Sequence, residues 1–334
     1  MNRAAFMRGN FGLMAHWLHT PVGTDPLSGD LNELVDEWNA RVDAFDVQAL
    51  AAQVSRSGAK WFILTIGQNS GFYCAPNPVY DELVGYVPSK CSKRDLFRDL
   101  AAELKKYGVK AIAYLPSGAP EYDRQAVERL EWKDGVMRDE DGVMLRAQYG
   151  FRLYDPTHRL ENFQRKWERV IAQWAQGWGD LCAGWWVDGV YYIEGMYKTQ
   201  AEPNYASLAR ALRSGNPNAA IAFNHGIQRM DTPFVLSEEE DFSPGELNSF
   251  LFSPFGRGKT PADMADGRIG HAQFHLLNFL GTQWGQGTSS RFPEELALSW
   301  TKYILANQGA LTWDIPVSAT GDIPEAFITM LGKL

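Results

Sequence analysis

The chain predicts a (β/α)8 barrel, with one or two irregular units, spanning residues 1–334 as a single catalytic domain. Three observations predict it. Short apolar runs alternate with amphipathic stretches at helical spacing. The apolar runs lack the in–out alternation of a sheet with one wet face, so they read as parallel strands covered on both sides. Eight such runs fill the chain, a scale that suits one barrel. A doubly wound sheet is the fold alternative, but no GxGxxG or GxxxxGK[ST] follows any strand.

The first strand falls at 12–17. A helix over 46–56 follows, with Asp46 as N-cap and Gly58 closing it. Residues 61–66, from Trp61 to Ile66, are the second strand. Ser92 is expected to cap a charged amphipathic helix that runs to Tyr107 and ends at Gly108. The third strand, 110–115, stops at Pro116. A polar insertion over about 117–157 is long enough to be a functional loop. A helix over 159–176 leads into the fourth strand, which carries Asp188. A helix over 205–213 precedes a fifth strand at 220–225, and 233–237 is taken as the sixth. The seventh lies within 271–284. A helix over 293–307 precedes the eighth strand, 310–315, and a last helix starts after Pro324.

A hydrophobic fraction of 45% supports a large core, and a net charge of -8 argues against nucleic acid or an anionic membrane as partner. No apolar run reaches the length of a membrane span. The N-terminus lacks a basic start followed by an apolar region, which reads as cytoplasmic; a leader removed upstream would make the protein periplasmic or secreted. Three cysteines without a CxxC pair give no disulfide framework, and no cofactor motif is present. Neither composition nor motif assigns an oligomeric state.

Residues 184–192 carry the densest signal. Trp185, Trp186 and Val187 run up to the carboxylate of Asp188, and Gly189 follows at once. A carboxylate among such neighbours costs several kcal/mol if unpaired, so it calls for a function. Strand C-termini of a barrel are where catalytic side chains gather. His16 and His19 follow strand one, Gln68 and Asn69 strand two, and Asn224 and His225 strand five. Glu238, Glu239, Glu240 and Asp241 follow strand six, with Glu246 just beyond, and Trp313 and Asp314 end strand eight. Taken singly, a strand-end histidine is more often structural and a glutamate run more often a solvated loop. Converging on one face, two carboxylates among tryptophans suit glycoside cleavage, one attacking the anomeric centre and the other protonating the leaving oxygen.

The chain resembles the catalytic domain of glycoside hydrolase family 29, the retaining α-L-fucosidases, along nearly its whole length. Residues 10–17, Asn10 to Trp17, are similar to the family's "KFGIFIHWG". Glu37-Trp38-Asn39 is similar to "EWY", and Phe45-Asp46 with 57–61 to "FD…AGAKY". Residues 93–96 through 108–110 are similar to "RDLV…GLKFGLYYS", Trp186-Val187-Asp188-Gly189 to "WFDG", and Trp284-Gly285 to "WGY". Residues 307–325 are similar to the closing "GGNLLLNIGP…G.IPE". The family's C-terminal β-sandwich is expected to be missing from these 334 residues.

The resemblance implies a retaining exo-glycosidase with a carbohydrate substrate and Asp188 as nucleophile. Asp241 to Glu246 has the offset of the family's "DF.TPE" loop, which makes Glu246 the acid/base residue; Glu238, Glu239 and Glu240 are the alternatives. His16, Trp17, Glu37, Trp38, Gln68, Asn69, Tyr114, Trp186, Asn224, His225, Trp284, Trp313 and Asp314 are the expected substrate-binding residues. The family's "HHDGF" is Gln68-Asn69-Ser70-Gly71-Phe72 here, so both sugar-holding histidines are replaced by amides. This departure leaves the bound sugar open, L-fucose or another. Two rival readings are a metal-dependent barrel hydrolase using His16, His19, His225, Asp314 and a helical His271/His275 pair, and a catalytically inactive sugar-binding barrel.

Overall fold

The computed structural model describes residues 2–22, 24, 28–132, 160–190, 197–226, 235–248 and 267–334. Among the described residues, seven parallel strands form one curled sheet in the order β5-β4-β3-β2-β1-β9-β8. They are β1 (Phe11–Ala15), β2 (Trp61–Thr65), β3 (Lys110–Pro116), β4 (Cys182–Asp188), β5 (Ala220–Phe223), β8 (His275–Phe279) and β9 (Ala310–Asp314); β6 (Arg268–Ile269) and β7 (Ala272–Gln273) form a small antiparallel hairpin beside it. The regular sheet is thus an open barrel, with its gap between β5 and β8.

The gap is where the sequence reading needs correction. The described part of the expected sixth strand, 235–237, is not strand. Residues 241–247 take that place as an irregular segment bonded to both edges. Asp241 N donates to Ile221 O of β5, while Gln273 N donates to Asp241 O and Leu277 N to Gly245 O on the β8 side. Pro244 has no N–H to offer, and Gly245 sits at φ +67, so the segment cannot run as a regular strand.

The helices that cover the sheet are α1 (Leu31–Asp43), α2 (Val47–Ser57), α3 (Pro78–Val84), α4 (Leu96–Lys106), α5 (Arg124–Arg129), α6 (Glu161–Trp178), α7 (Tyr205–Leu212), α8 (Glu294–Ala306) and α9 (Glu325–Leu331). Asp46 caps α2 through Gln48 N and Ala49 N, and Gly58 closes it in the left-handed conformation, as expected. The cap of α4 is Asp95 rather than Ser92, whose hydroxyl instead donates to Arg94 O. Helices α1, α3 and α5 were not expected. The anticipated insertion at 117–157 includes α5, and from residue 133 onward it falls outside the described residues. Among the described residues, no helix is long and apolar enough to cross a membrane.

Alternation along the strands makes two cores. Phe62, Leu64, Trp185, Val187 and Leu311 point outward into the layer between sheet and helices. Met14, Ile63, Ile112, Tyr114, Trp186, Ala222 and Leu277 point inward and fill the barrel. By the same parity, His16, Asp188, Asn224 and Asp314 continue the inward rows of β1, β4, β5 and β9 past the filled layers, at the C-terminal mouth.

Candidate active site

Asp188 stands at the end of β4 with both oxygens bonded. The Tyr114 hydroxyl donates to Oδ2 at 2.6 Å and Asn224 Nδ2 donates to Oδ1 at 2.7 Å. Gln68 Nε2 in turn donates to the Tyr114 hydroxyl at 2.7 Å, leaving that proton aimed at Asp188. Tyr114 stacks on Trp186, with ring centroids 5.3 Å apart, and Trp186 is itself tied by Nε1 to Pro244 O.

Glu246 comes from the irregular segment that fills the sheet gap. Its Oε2 accepts from the same Asn224 nitrogen at 2.6 Å. The nearest oxygens of Asp188 and Glu246 are therefore no further apart than those two bonds laid end to end. Asn224 is fully buried, and Gly226 N donates to its Oδ1 at 3.1 Å. An N–H needs an acceptor, so the amide oxygen faces Gly226 and the NH2 group faces the carboxylates. Burial pushes the Glu246 carboxyl up to about 7, with the neighbouring Asp188 charge adding to the rise; the Asn224 bond and His16 oppose it.

His16 forms the opposite wall. Its Nδ1 lies 2.7 Å from Asp314 Oδ2, and Asp314 Oδ1 accepts from Gly285 N at 2.6 Å. A carboxylate only accepts, so Nδ1 carries the hydrogen and Nε2 is the ring's remaining functional atom. Gly285 follows Trp284 and lies against His16 at φ +67, where an added Cβ would come 2.9 Å from His16 Cβ. The buried Asp314 therefore holds two walls at once, His16 and the Trp284 turn. Asn248 accepts from Trp284 Nε1 at 3.1 Å. One cavity is lined by His16, Gln68, Tyr114, Trp186, Asp188, Glu246 and Trp284, with Val22 and Leu277 as its aliphatic surface.

The Gln68–Asn69 turn is fixed from behind. Lys90 Nζ reaches Asp123 Oδ2 at 2.7 Å and Ser70 O at 3.4 Å, and Tyr122 N donates to Asn69 O at 2.9 Å. Gly71, at φ +77, lets the turn press on Asp123; an added Cβ would come 2.5 Å from its Oδ2.

The remaining expected site residues lie elsewhere. Trp313 is fully buried on the outward side of β9, donating to Thr301 of α8 and packing on Trp300. Trp17 and Trp38 pack on each other in the sheet–helix layer, their indoles bonded to Ser318 O and Tyr73 O. Glu37 is exposed on α1. His225 is half-buried directly after Asn224. Both oxygens of the buried Asp314 are bonded, Oδ2 to His16 Nδ1 and Oδ1 to Gly285 N. Of the alternative carboxylates, Glu238 is exposed beside His271 at 3.2 Å and Glu239 pairs with Arg213 at 2.8 Å. Glu240 accepts from Phe223 N, Leu236 N and Ser237 N, a bracket for the segment rather than a group in the cavity.

The histidines of the metal reading are dispersed. His19 stacks on Phe72 at 3.8 Å, and His275 is enclosed between Ser243 O and Thr312 Oγ1. His271 and His275 flank the β7 strand and do not share a helix face. Among the described residues, no three His, Cys, Asp or Glu side chains converge as a metal-binding group.

No protein-family model matches the chain, and no curated protein sequence matches it either. Solved structures do share its fold, glycoside hydrolases among them. The endo-fucoidan hydrolase MfFcnA4 of glycoside hydrolase family 107 superposes with a TM-score of 0.67 at 17% identity, covering 99% of this chain and 52% of that one. P5AFcnA, an endo-fucoidan hydrolase of the same family, gives 0.67 at 15% identity over 100% of this chain and 92% of that one. The α-L-fucosidase AlfC from Lactobacillus casei, in complex with its α-L-fucose product, gives 0.63 at 16% identity over 99% and 96%. This chain spans about half the length of the first of these. The fold is thus shared with endo-fucoidan hydrolases of glycoside hydrolase family 107 and with an α-L-fucosidase.

Proposed function

We propose that the protein is a retaining glycoside hydrolase that cleaves the α-glycosidic bond of L-fucose or a stereochemically related sugar through a covalent intermediate on Asp188. The observation that carries this reading is the single amide nitrogen of Asn224 shared by Asp188 and Glu246. Retaining enzymes hold their two carboxyl groups about 5–5.5 Å apart, whereas inverting ones need about 6.5–9.5 Å to admit a water. Two short bonds to one nitrogen favour the close arrangement.

In this reading Glu246, kept protonated near neutrality, gives its proton to the leaving oxygen while Asp188 attacks the anomeric carbon. Water then enters on the vacated side, Glu246 takes its proton, and the sugar–Asp188 bond breaks. His16 Nε2, Gln68 and the Trp284 ring face the sugar. Amides in place of histidines at 68–69 alter the hydroxyl pattern that fits, so L-galactose, D-arabinose and L-rhamnose belong beside L-fucose in any substrate panel. Release of a terminal sugar, which the family resemblance implies, needs only the cavity that holds both carboxylates.

Asp188→Ala tests the proposal on the best 4-nitrophenyl α-glycoside of that panel. Turnover should fall on the order of 10³-fold or more, and azide should restore it while yielding the β-glycosyl azide. A variant that keeps a near-native rate would sink the assignment.

A further inference from the structure

The ladder between β8 and the segment that carries Glu246 changes character once. Gln273 N donates to Asp241 O and Ser243 N to Gln273 O; further on, Leu277 N donates to Gly245 O and Leu247 N to Leu277 O. The same rhythm would have His275 N bond Ser243 O and Gly245 N bond His275 O. Side chains take over instead. His275 N donates to Ser243 Oγ at 2.8 Å, Ser243 Oγ donates to His275 O at 2.8 Å, and His275 Nδ1 stands 2.9 Å from Ser243 O. These three bonds splice the ladder at Pro244 and Gly245, the corner that directly precedes Glu246. An added Cβ at Gly245 would run into His275 O, so the corner is fitted to glycine.

We propose that His275 is a positioning residue for the proton donor: through Ser243 it fixes the Pro244–Gly245 corner that sets where the Glu246 carboxyl stands. The inference rests on the glycosidase reading above, in which Glu246 is the acid.

The ring is held from behind as firmly as from the front. His275 is fully buried. Ser243 O only accepts, so Nδ1 carries the hydrogen and Nε2 is an acceptor. Thr312 Oγ1 lies 2.7 Å from Nε2, and Trp61 Nε1 donates to that same oxygen at 2.8 Å, which leaves the hydroxyl hydrogen for His275. Both ring nitrogens are thus satisfied in the neutral form, and burial, which lowers the ring's pKa to about 4, keeps it neutral. One chain of hydrogen bonds crosses the barrel interior from β2 through β9 and β8 to the segment. The corner's other hold is Trp186 Nε1, which donates to Pro244 O at 3.1 Å from the strand that carries Asp188. On the β5 side, the segment's backbone bonds come earlier, at Asp241 and Phe242. An acid must meet its leaving oxygen closely, and a misplacement of about 1 Å can cost on the order of 10²-fold in rate.

The test compares His275→Asn with His275→Gln. Asparagine places an amide N–H where Nδ1 stands and keeps the Ser243 bond; glutamine reaches the Nε2 position and keeps the Thr312 bond instead. Both leave space beside a shorter side chain, so Tm falls in both and does not explain a difference between them. Carbon NMR of enzyme labelled at its glutamate carboxyls, with the Glu246 signal assigned by Glu246→Gln, reads the acid directly. The carboxyl should titrate at about 7 in the wild type and in His275→Asn. In His275→Gln it should fall by about one unit or more, because a displaced carboxyl leaves its buried place beside Asp188. In that variant kcat/KM should drop about 10–100-fold on substrates with poor leaving groups, with 2,4-dinitrophenyl glycosides little affected. Ser243→Ala removes the hydroxyl half of the splice; it should show the same split more weakly, and it carries the test if His275→Gln does not fold. A Glu246 carboxyl unmoved in both His275→Gln and Ser243→Ala, a loss shared equally by both leaving groups, or an asparagine variant as impaired as the glutamine one would each overturn the inference. A carboxyl shift in an enzyme that hydrolyses no aryl glycoside would instead refute the glycosidase reading and leave the positioning of Glu246 standing.

Discussion

Replacing Asn224 by alanine separates the two carboxylates from the donor they share. Asn224 Nδ2 bonds Glu246 at 2.6 Å and Asp188 at 2.7 Å. On Glu246 that bond favours the charged form, against the burial and the Asp188 charge that together lift the carboxyl to about 7. A hydrogen bond to a charged group is worth about 1.5–3 kcal/mol. At about 1.4 kcal/mol per pKa unit, its loss raises the Glu246 carboxyl by roughly 1–2 units, and the smaller figure applies if water fills the space left by the amide. The general acid works protonated, so activity is present below its pKa and lost above it. The alkaline limb of kcat/KM should therefore move upward by about one to two pH units. The rate at the optimum should fall about 10–100-fold, because Asp188 also loses a donor. The assay is the pH dependence of kcat/KM on a substrate with a poor leaving group, where protonation matters. An alkaline limb that stays in place or moves to lower pH would refute the shared-donor reasoning.

Two further variants probe the walls of the site. Glu246→Ala should slow hydrolysis of alkyl glycosides and disaccharides by about 10²–10⁴-fold while sparing 2,4-dinitrophenyl glycosides in the first chemical step; the same pattern from a variant of Glu238, Glu239 or Glu240 would reassign the acid. Asp314→Asn keeps the size of the side chain but turns an NH2 group toward His16 Nδ1, forcing the ring into the tautomer with hydrogen on Nε2. Sugar affinity should drop by about 1.5–3 kcal/mol, read as a raised KM or Kd, with Tm little changed. Unaltered sugar binding would show that Asp314 does not act through His16.

Much of this was legible in the sequence because barrel strands write their register plainly. The parity that puts Trp186 inside the barrel also puts Asp188 at its mouth, and the same count from Ala220 reaches Asn224. Asp46 and Gly58 marked the ends of α2 by cap chemistry alone. The sixth strand was misplaced because 233–237 has the apolar look of a strand, whereas the segment that closes the gap contains Pro244 and Gly245 and has no strand pattern. Trp313 and Trp17 face the helices rather than the mouth, which strand parity indicates: each is one residue out of phase with its neighbour Asp314 or His16. The roles of Tyr114 and Asn224 as donors to the carboxylates had no signal in composition or spacing. They depend on β3, β4, β5 and the irregular segment meeting in space, as does the bond from Asp314 to Gly285.

The most direct test of the central claim is the anomeric configuration of the first product. Proton NMR of a 4-nitrophenyl α-L-fucoside hydrolysis, or of the best related α-glycoside, followed from the first minutes, distinguishes the anomers before mutarotation mixes them. The close Asp188–Glu246 pair predicts that the α-anomer appears first, with retention through two displacements. First appearance of the β-anomer would mean a single displacement by water and would contradict Asp188 as the nucleophile.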